Sequence, residues 1–480
     1  MNAMASSSSV TSQSASRPAA KPAPHSFRQP LTIKDYIGYG IGDTAINFTF
    51  ASLNLYVVYF YTDVIGVAAG IIGTVMLFSR SFDGVIDMVV GSLVDKTHSK
   101  WGKARPWLLF GCVPFALFTI LLFTVPASWS ETWKVGYIFV SYNLLMIAFS
   151  SMAIPYGTLN SMVTQDRAQR EGLNLWRMLL AQVGVLIVTN CTYPMVQLFG
   201  GTQMAWAITY AILSCISVLL FLVVFKTQKE RVHTSEMEEQ VPLKESFGAL
   251  LQNKYWFLAF FYFILLTIAQ TLYQGGLVYY AKYVLSNEGI VGVLTFAYLI
   301  PTMAVLPLCP KLFGRFGKTA CLLVGTVVYA IGFIMPVLNP TNLELFVVAQ
   351  VLRGLGQGPI TGAVWSLFPD TIEYGYYKTG VRNEGLLYSG GSLGQKIGSG
   401  LGTALVGWIL AFGGYNGLAA VQTPSAINAI YQISLWGPAI LLAVCVVIMC
   451  FYDIDKRYDE IMAGVAKRQA EAERRNANAH

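Results

Sequence analysis

The sequence predicts an all-α polytopic membrane protein with twelve transmembrane helices in two six-helix halves and both termini cytoplasmic. Three observations predict it. The 480-residue chain is 55% hydrophobic and 12% charged, with a positive mean hydropathy, which is far from the composition of soluble globular chains. Its apolar runs reach the ~20 residues that a helix needs to cross a bilayer. Its lysines and arginines gather in alternate loops.

The runs fall in order at 36–61, 66–94, 107–126, 136–164, 172–198, 204–225, 255–284, 289–310, 320–340, 343–368, 385–414 and 429–452. Backbone polar groups must be satisfied inside lipid, and no alternating barrel pattern is present, so each run is read as a helix. The first carries Asp43 and Asn47 and closes on "YFYTDVIG"; the second carries "SRSFDGVIDMVVG" over residues 79–91. The fourth holds Ser150 and Tyr156, and the fifth holds "GLNLWRMLL" with Trp176 and Arg177. The tenth carries Arg353 and Thr361, and the eleventh "SGGSLGQKIGSGLG" with Ser392 and Lys396.

Orientation follows from the basic loops. Lys96, Lys100, Lys103 and Arg105 follow the second run, Arg167 and Arg170 the fourth, Lys311, Arg315 and Lys318 the eighth, and Lys378 and Arg382 the tenth. The intervening loops hold only Lys134, with Lys282 near a helix end. The positive-inside rule then places both termini in the cytoplasm of a cytoplasmic (inner) membrane protein. The net charge of +7 is read as topogenic, with no nucleic-acid partner. Residues 1–30 are expected to form a disordered tail, 31–225 and 255–455 the two bundles, 226–254 a central cytoplasmic loop and 456–480 a C-terminal tail. The two halves share a small Gly-Lys turn, "GSLVDKTHSKWGKARP" in the first and "PKLFGRFGKTACLL" in the second, which is the mark of a repeat-built transporter with its site at the interface.

Arg80, Asp83 and Asp87 are spaced i, i+3, i+7 and share one helix face. Facing lipid unpaired, they would cost roughly 8–10 kcal/mol together, so they face a polar interior. Two readings stand: a structural salt bridge through Arg80, or a carboxylate pair whose net negative charge takes a small cation, Na+ or H+. Counted from the helix ends, Asn47, Asp83, Asp87, Ser150, Arg177 and Lys396 all lie about 12–22 Å deep. Lys396 is either a counter-ion or a residue with a combined coupling and substrate role; Arg177 either binds substrate hydroxyls or pairs with a neighbouring carboxylate or a helix end. Arg353 either meets an anionic substrate group, or snorkels outward or pairs with a carbonyl. Tyr56, Tyr156, Trp176 and Trp365 are candidate platforms for a substrate ring, against a background role in packing. His25, His98, His233 and His480 lie in tails or loops, so coupling must run through carboxylates. The seven cysteines show no metal spacing and read as apolar fillers. No cofactor is expected, and no nucleophile-base pair that an enzyme would need is visible.

With "YFYTDVIG", "SRSFDGVIDMVVGSLVDKTHSKWGKARPWLL", "IPYGTLNSMVTQDRAQREGLNLWRM" and "PDTIEYGYYKTGVRNEGLLYSGGSLGQKIG" in order, the chain resembles the glycoside-pentoside-hexuronide:cation symporters of the major facilitator superfamily, from residue 35 to about 455. The resemblance implies a major facilitator fold and symport of a glycoside with Na+ or H+. It implies that Asp83, Asp87 and Ser150 bind the cation (as metal ligands if it is Na+), that Lys396, with Arg80, couples the sites, and that Arg177 meets the sugar. Asn47, Asp43, Tyr156, Trp176, Thr361, Ser392 and Arg353 complete the candidate substrate contacts. Asn47, Ala153 and Gly157 stand where the melibiose branch has sugar-binding side chains, and "GDTAIN" and "AIPYG" look more like the glucuronide and pentoside branches. A nontransporting sugar sensor on the same fold is the alternative.

Overall fold

The computed structural model describes residues 31–164, 166–231, 248, 250–380, 384–419, 421–457 and 460–468. The expected tail 1–30, most of the central loop, Arg382 and the end of the C-terminal tail lie outside the described residues. Every regular element among the described residues is helical.

The long helices follow the apolar runs. They are α1 (Ile33–Tyr59, continued by a π-turn over Phe60–Val64), α2 (Ala69–Asp95), α3 (Arg105–Leu122), α4 (Glu131–Val163), α5 (Arg167–Leu198) and α6 (Gln203–Thr227). Then come α7 (Lys254–Tyr283), α8 (Glu288–Phe316) and α9 (Lys318–Leu338). The helical segments Leu343–Ala363, Val364–Ser366 and Leu367–Thr379 make up α10, Glu384–Phe412 is α11, and Pro424–Tyr431, Gln432–Trp436 and Gly437–Cys450 make up α12. Nine of the described helices are long and apolar enough to cross a membrane. Ile440, Val444 and Val447 on α12, with Phe451 just past its end, form an exposed apolar stripe, as a lipid-facing helix requires.

Two ends differ from expectation. The eighth helix runs through Lys311 and Arg315 to Phe316 and stops at Gly317, whose φ of +84° breaks it. The tenth runs to Thr379, past the expected 368, and stops at Gly380 in the left-handed region. In both cases glycine, which adopts positive φ without a Cβ penalty, sets the end.

The repeated Gly-Lys turns are structurally equivalent. Gly102 has φ +105°, and after it the backbone N–H groups of Lys103, Ala104 and Arg105 donate to the Glu230 carboxylate at 2.8, 2.8 and 3.0 Å. Gly317 has φ +84°, and the N–H of Thr319 donates to Asp455 Oδ2 at 2.8 Å. In each case an acidic residue just beyond the sixth or twelfth helix sits at the N-terminus of the third or ninth, where free amides favour negative charge.

Across the middle, α2 packs on α11, α5 on α8 and α1 on α7. The α2–α11 approach is very close: a Cβ on Gly407 would lie 2.4 Å from the Ala69 carbonyl, so small residues are required there. The starts of α1 and α7 lie at one end of the bundle, because their far ends meet through Thr62 Oγ1 and Tyr279 OH at 2.8 Å. At that far end Asp63 binds Lys282 at 2.9 Å, Tyr283 OH at 3.0 Å and Tyr415 OH at 2.8 Å. Lys282 also meets Glu288 at 3.4 Å, and Tyr59 and Tyr193 donate to Glu288. The far end is closed. At the tail end, among the described residues, Arg231–Asp35 and Lys318–Asp370 each stay within one set of six helices. The side chains of Asp87 and Arg177 are about one-third exposed there, at 30% and 34%.

Candidate functional site

The carboxylates of α2, a hydroxyl of α4 and an ammonium of α11 meet between the two sets of helices. Ser150 Oγ donates to Asp87 Oδ1 at 2.6 Å and to Asp83 Oδ1 at 3.2 Å. Lys396 Nζ pairs with Asp83 Oδ2 at 3.3 Å, with Asp87, and with the Asp83 carbonyl at 3.3 Å. Asp83 is buried, and a buried carboxylate persists only with partners of this kind. Glycine at 398 lets α11 lie against α7, since a Cβ there would be 2.8 Å from the Ile264 carbonyl.

Arg80 departs from its expected place. Among the described residues it forms no ion pair with either aspartate; its guanidinium lies over Phe50 and Tyr142 at 5.2 and 5.9 Å and donates to Asn54 at 3.3 Å. The salt-bridge reading through Arg80 is therefore corrected: Lys396 is the counter-ion of the carboxylates. The expected net negative charge is corrected with it. Two aspartates, Arg80 and Lys396 cancel formally.

Two chambers open beside this cluster. One, of about 240 Å³, is lined by Asn47, Gln182, Thr189, Gln357 and Thr361 among others; the second, of about 260 Å³, by Arg80, Asp83, Lys396, Ser399 and Thr403. Asn54, Gln270 and Gln274 line both. The donors and acceptors are mostly amides and hydroxyls, the chemistry that recognises a polyol.

The other expected contacts are scattered. Arg177 Nε pairs with Asp43 at 2.9 Å, with Asn47 donating to the Asp43 carbonyl at 2.8 Å. The guanidinium lies 5.1 Å from the Tyr156 ring, and Tyr156 is buried, stacked on Tyr39 at 4.9 Å. Trp176 is half-buried, with its carbonyl set against Gly40, and Ser392 is exposed. Tyr56 is buried between Tyr193 and Trp206, and Trp365 packs on Phe263.

Arg353 is corrected more sharply. It is wholly buried, donates to the Gly332 carbonyl and Gln350 at 2.9 Å each, and lies over Phe333 at 4.0 Å. It lines neither chamber, so the carbonyl-pairing reading replaces the anionic-sugar contact.

Asn54, Gln182, Gln270, Gln274 and Gln357 escaped the sequence reading. A signal existed in Gln270 and Gln274, polar residues at i, i+4 within an apolar run.

A helical bundle closed at one end, with buried charges joining α2 to α11 beside a polar cavity, is the architecture of a secondary transporter. Residues 38–456 match the family described as "MFS/sugar transport protein", and the chain belongs to that family. It is 30% identical over 460 residues to an isoprimeverose transporter of Lactiplantibacillus pentosus, covering 95% of each chain. It is 32% identical over 451 residues to a glucuronide carrier protein homolog of Escherichia coli (strain K12), covering 92% of this chain and 97% of that one. The fold is shared with the nucleoside transporter NupG, at a TM-score of 0.61 and 14% identity over 87% of this chain and 99% of that one.

Proposed function

We propose that this chain crosses the cytoplasmic membrane twelve times, with both termini in the cytoplasm, and takes up a glycoside by symport with Na+ or H+. Its halves are residues 31–225 and 255–455, joined by 226–254. The carrying observation is the contact of Lys396 on α11 with Asp83 and Asp87 on α2, which ties the two halves together through the groups that would hold the cation.

In this reading Lys396 occupies the place of the coupling cation. Na+ held by Asp83, Asp87 and Ser150, or a proton on the pair, weakens the grip on the ammonium and turns it toward the second chamber, where a sugar hydroxyl can accept from it. Cation and sugar then favour each other by a reciprocal free energy of about 1–3 kcal/mol. In this reading the closed far end is the outer one, and the conformation is the inward-facing state.

The test is uptake by proteoliposomes of a radiolabelled panel containing a pentosyl-hexose disaccharide, an aryl glucuronide and α- and β-galactosides, under a sodium or a proton gradient. Uphill accumulation of a panel member with one gradient is expected. Absence of accumulation of any member under either gradient refutes the proposal.

A further inference from the structure

Neither chamber alone reaches the ~300–1,000 Å³ of ordinary small-molecule pockets; at about 240 and 260 Å³ only the two joined do. Their junction is built from three amides. Gln270 and Gln274 stand one helical turn apart on the same face of α7, and Asn54 on α1 lines both chambers with them, so the two halves of the molecule contribute to the shared lining.

These amides retain unused capacity. Gln270 Nε2 donates to Gln357 Oε1 at 3.2 Å, and Asn54 Oδ1 accepts from Arg80. The Gln270 carbonyl oxygen, the Asn54 amino group and the whole Gln274 amide have no partner among the described residues, and the Gln274 side chain is exposed to the cavity. Each chamber also has its own aromatic wall. Tyr273 and Tyr298 stand 5.5 Å apart in the first, and Phe50 and Phe149 are stacked at 4.3 Å in the second.

Building on the glycoside-transport reading, we propose that Asn54, Gln270 and Gln274 form a binding neck that grips a two-ring glycoside across its linkage, one ring in each chamber. One ring lies among the hydroxyl and amide groups beside Thr361. The other lies beside Arg80 and Lys396, so its hydroxyls are the ones that sense the coupling cluster. The residues conferring preference for two rings over one are then on α1 and α7, away from Arg177 and Asp43.

The test compares KM values in proteoliposomes for a pentosyl-hexose disaccharide, a galactosyl-hexose disaccharide and an aryl glucuronide against the methyl glycosides of single pentose and hexose rings. The wild-type chain is expected to take at least one two-ring compound with a KM about tenfold or more below every one-ring compound. Gln270→Leu with Gln274→Leu, and Gln274→Leu alone in case the double variant is not recovered folded, raise the two-ring KM by about 10–100-fold while one-ring KM values move by less than about threefold. Gln274→Glu, which keeps shape and acceptor oxygens, retains part of the preference. Equal KM values for one and two rings in the wild type overturn the neck while leaving glycoside symport standing. So does an unchanged two-ring KM in the leucine variants. Failure of the wild type to accumulate any of these sugars overturns the transport reading itself.

Discussion

Replacing Lys282 by methionine should open the closed far end, which is the outer end in the proposed orientation. Lys282 is paired with Asp63, whose side chain is only 2% exposed, while that of Lys282 is 24% exposed. Removing one member of a buried pair costs about 3–5 kcal/mol, because the other charge is left uncompensated. Here Asp63 keeps hydroxyl donors from Thr62, Tyr283 and Tyr415, and the lysine is partly solvated, so about 2 kcal/mol is the appropriate figure. The cost falls on the closed state alone, since opening admits water to the carboxylate. A bias of about 2 kcal/mol moves the equilibrium between outer-closed and outer-open forms about 30-fold. The assay is labelling of Ala51→Cys, a cavity-lining position, by a membrane-impermeant maleimide added outside, in a background lacking the seven native cysteines. Labelling should accelerate by at least about tenfold in the Lys282→Met variant. Asp63→Asn should act in the same direction, and the double variant should fall short of the sum. A labelling rate within about twofold of the parent, in protein that inserts and transports normally, would refute the reasoning.

Other outcomes follow from the same geometry. Asp83→Asn or Asp87→Asn should abolish uphill accumulation and spare downhill exchange; failure of these variants to insert would mean that the carboxylates are structural only. Lys396→Ala leaves Asp83 buried with Ser150 as its main donor, and should lower the rate of gradient-driven uptake by at least about tenfold. Glu230→Ala strips three backbone amides of their acceptor and should cost about 2 kcal/mol, seen as earlier loss of the monodisperse chromatographic peak on heating. Arg353→Met should change that thermal midpoint while leaving sugar KM within about twofold, because Arg353 lines neither chamber and its Nε and Nη1 donate within the C-terminal half to Gly332 and Gln350.

Charges in apolar runs are conspicuous, which is why Asp83, Asp87 and Lys396 could be brought together from sequence. Burial forces such groups to find each other, and few partners are available. Of the two readings of the α2 charges, the salt bridge through Arg80 failed because spacing places side chains on a face without fixing their direction; its long stem reaches sideways to Asn54 and two rings. For Arg353 the carbonyl-pairing alternative held and the anionic-sugar one failed, because depth alone does not separate a cavity from a packed core. The amides of α7 gave only a faint signal, their i, i+4 spacing, because a neutral glutamine costs too little in an apolar helix to demand an explanation. Helix existence was legible from the length of the apolar runs. Helix ends were less so, since α8 and α10 continue through basic residues until a left-handed glycine stops them.

The two carboxylates at the Gly-Lys turns also constrain how the protein is made. Glu230 emerges about 125 residues after the backbone that it clasps, and Asp455 emerges 136 residues after Thr319. Until the last helix of a half has left the ribosome, the start of that half's third helix therefore has no acceptor for its amides. Each half locks only when its synthesis is nearly complete, and the second lock depends on the segment just past α12. A chain truncated before residue 455 would insert most of its spans and still leave the second half unfastened.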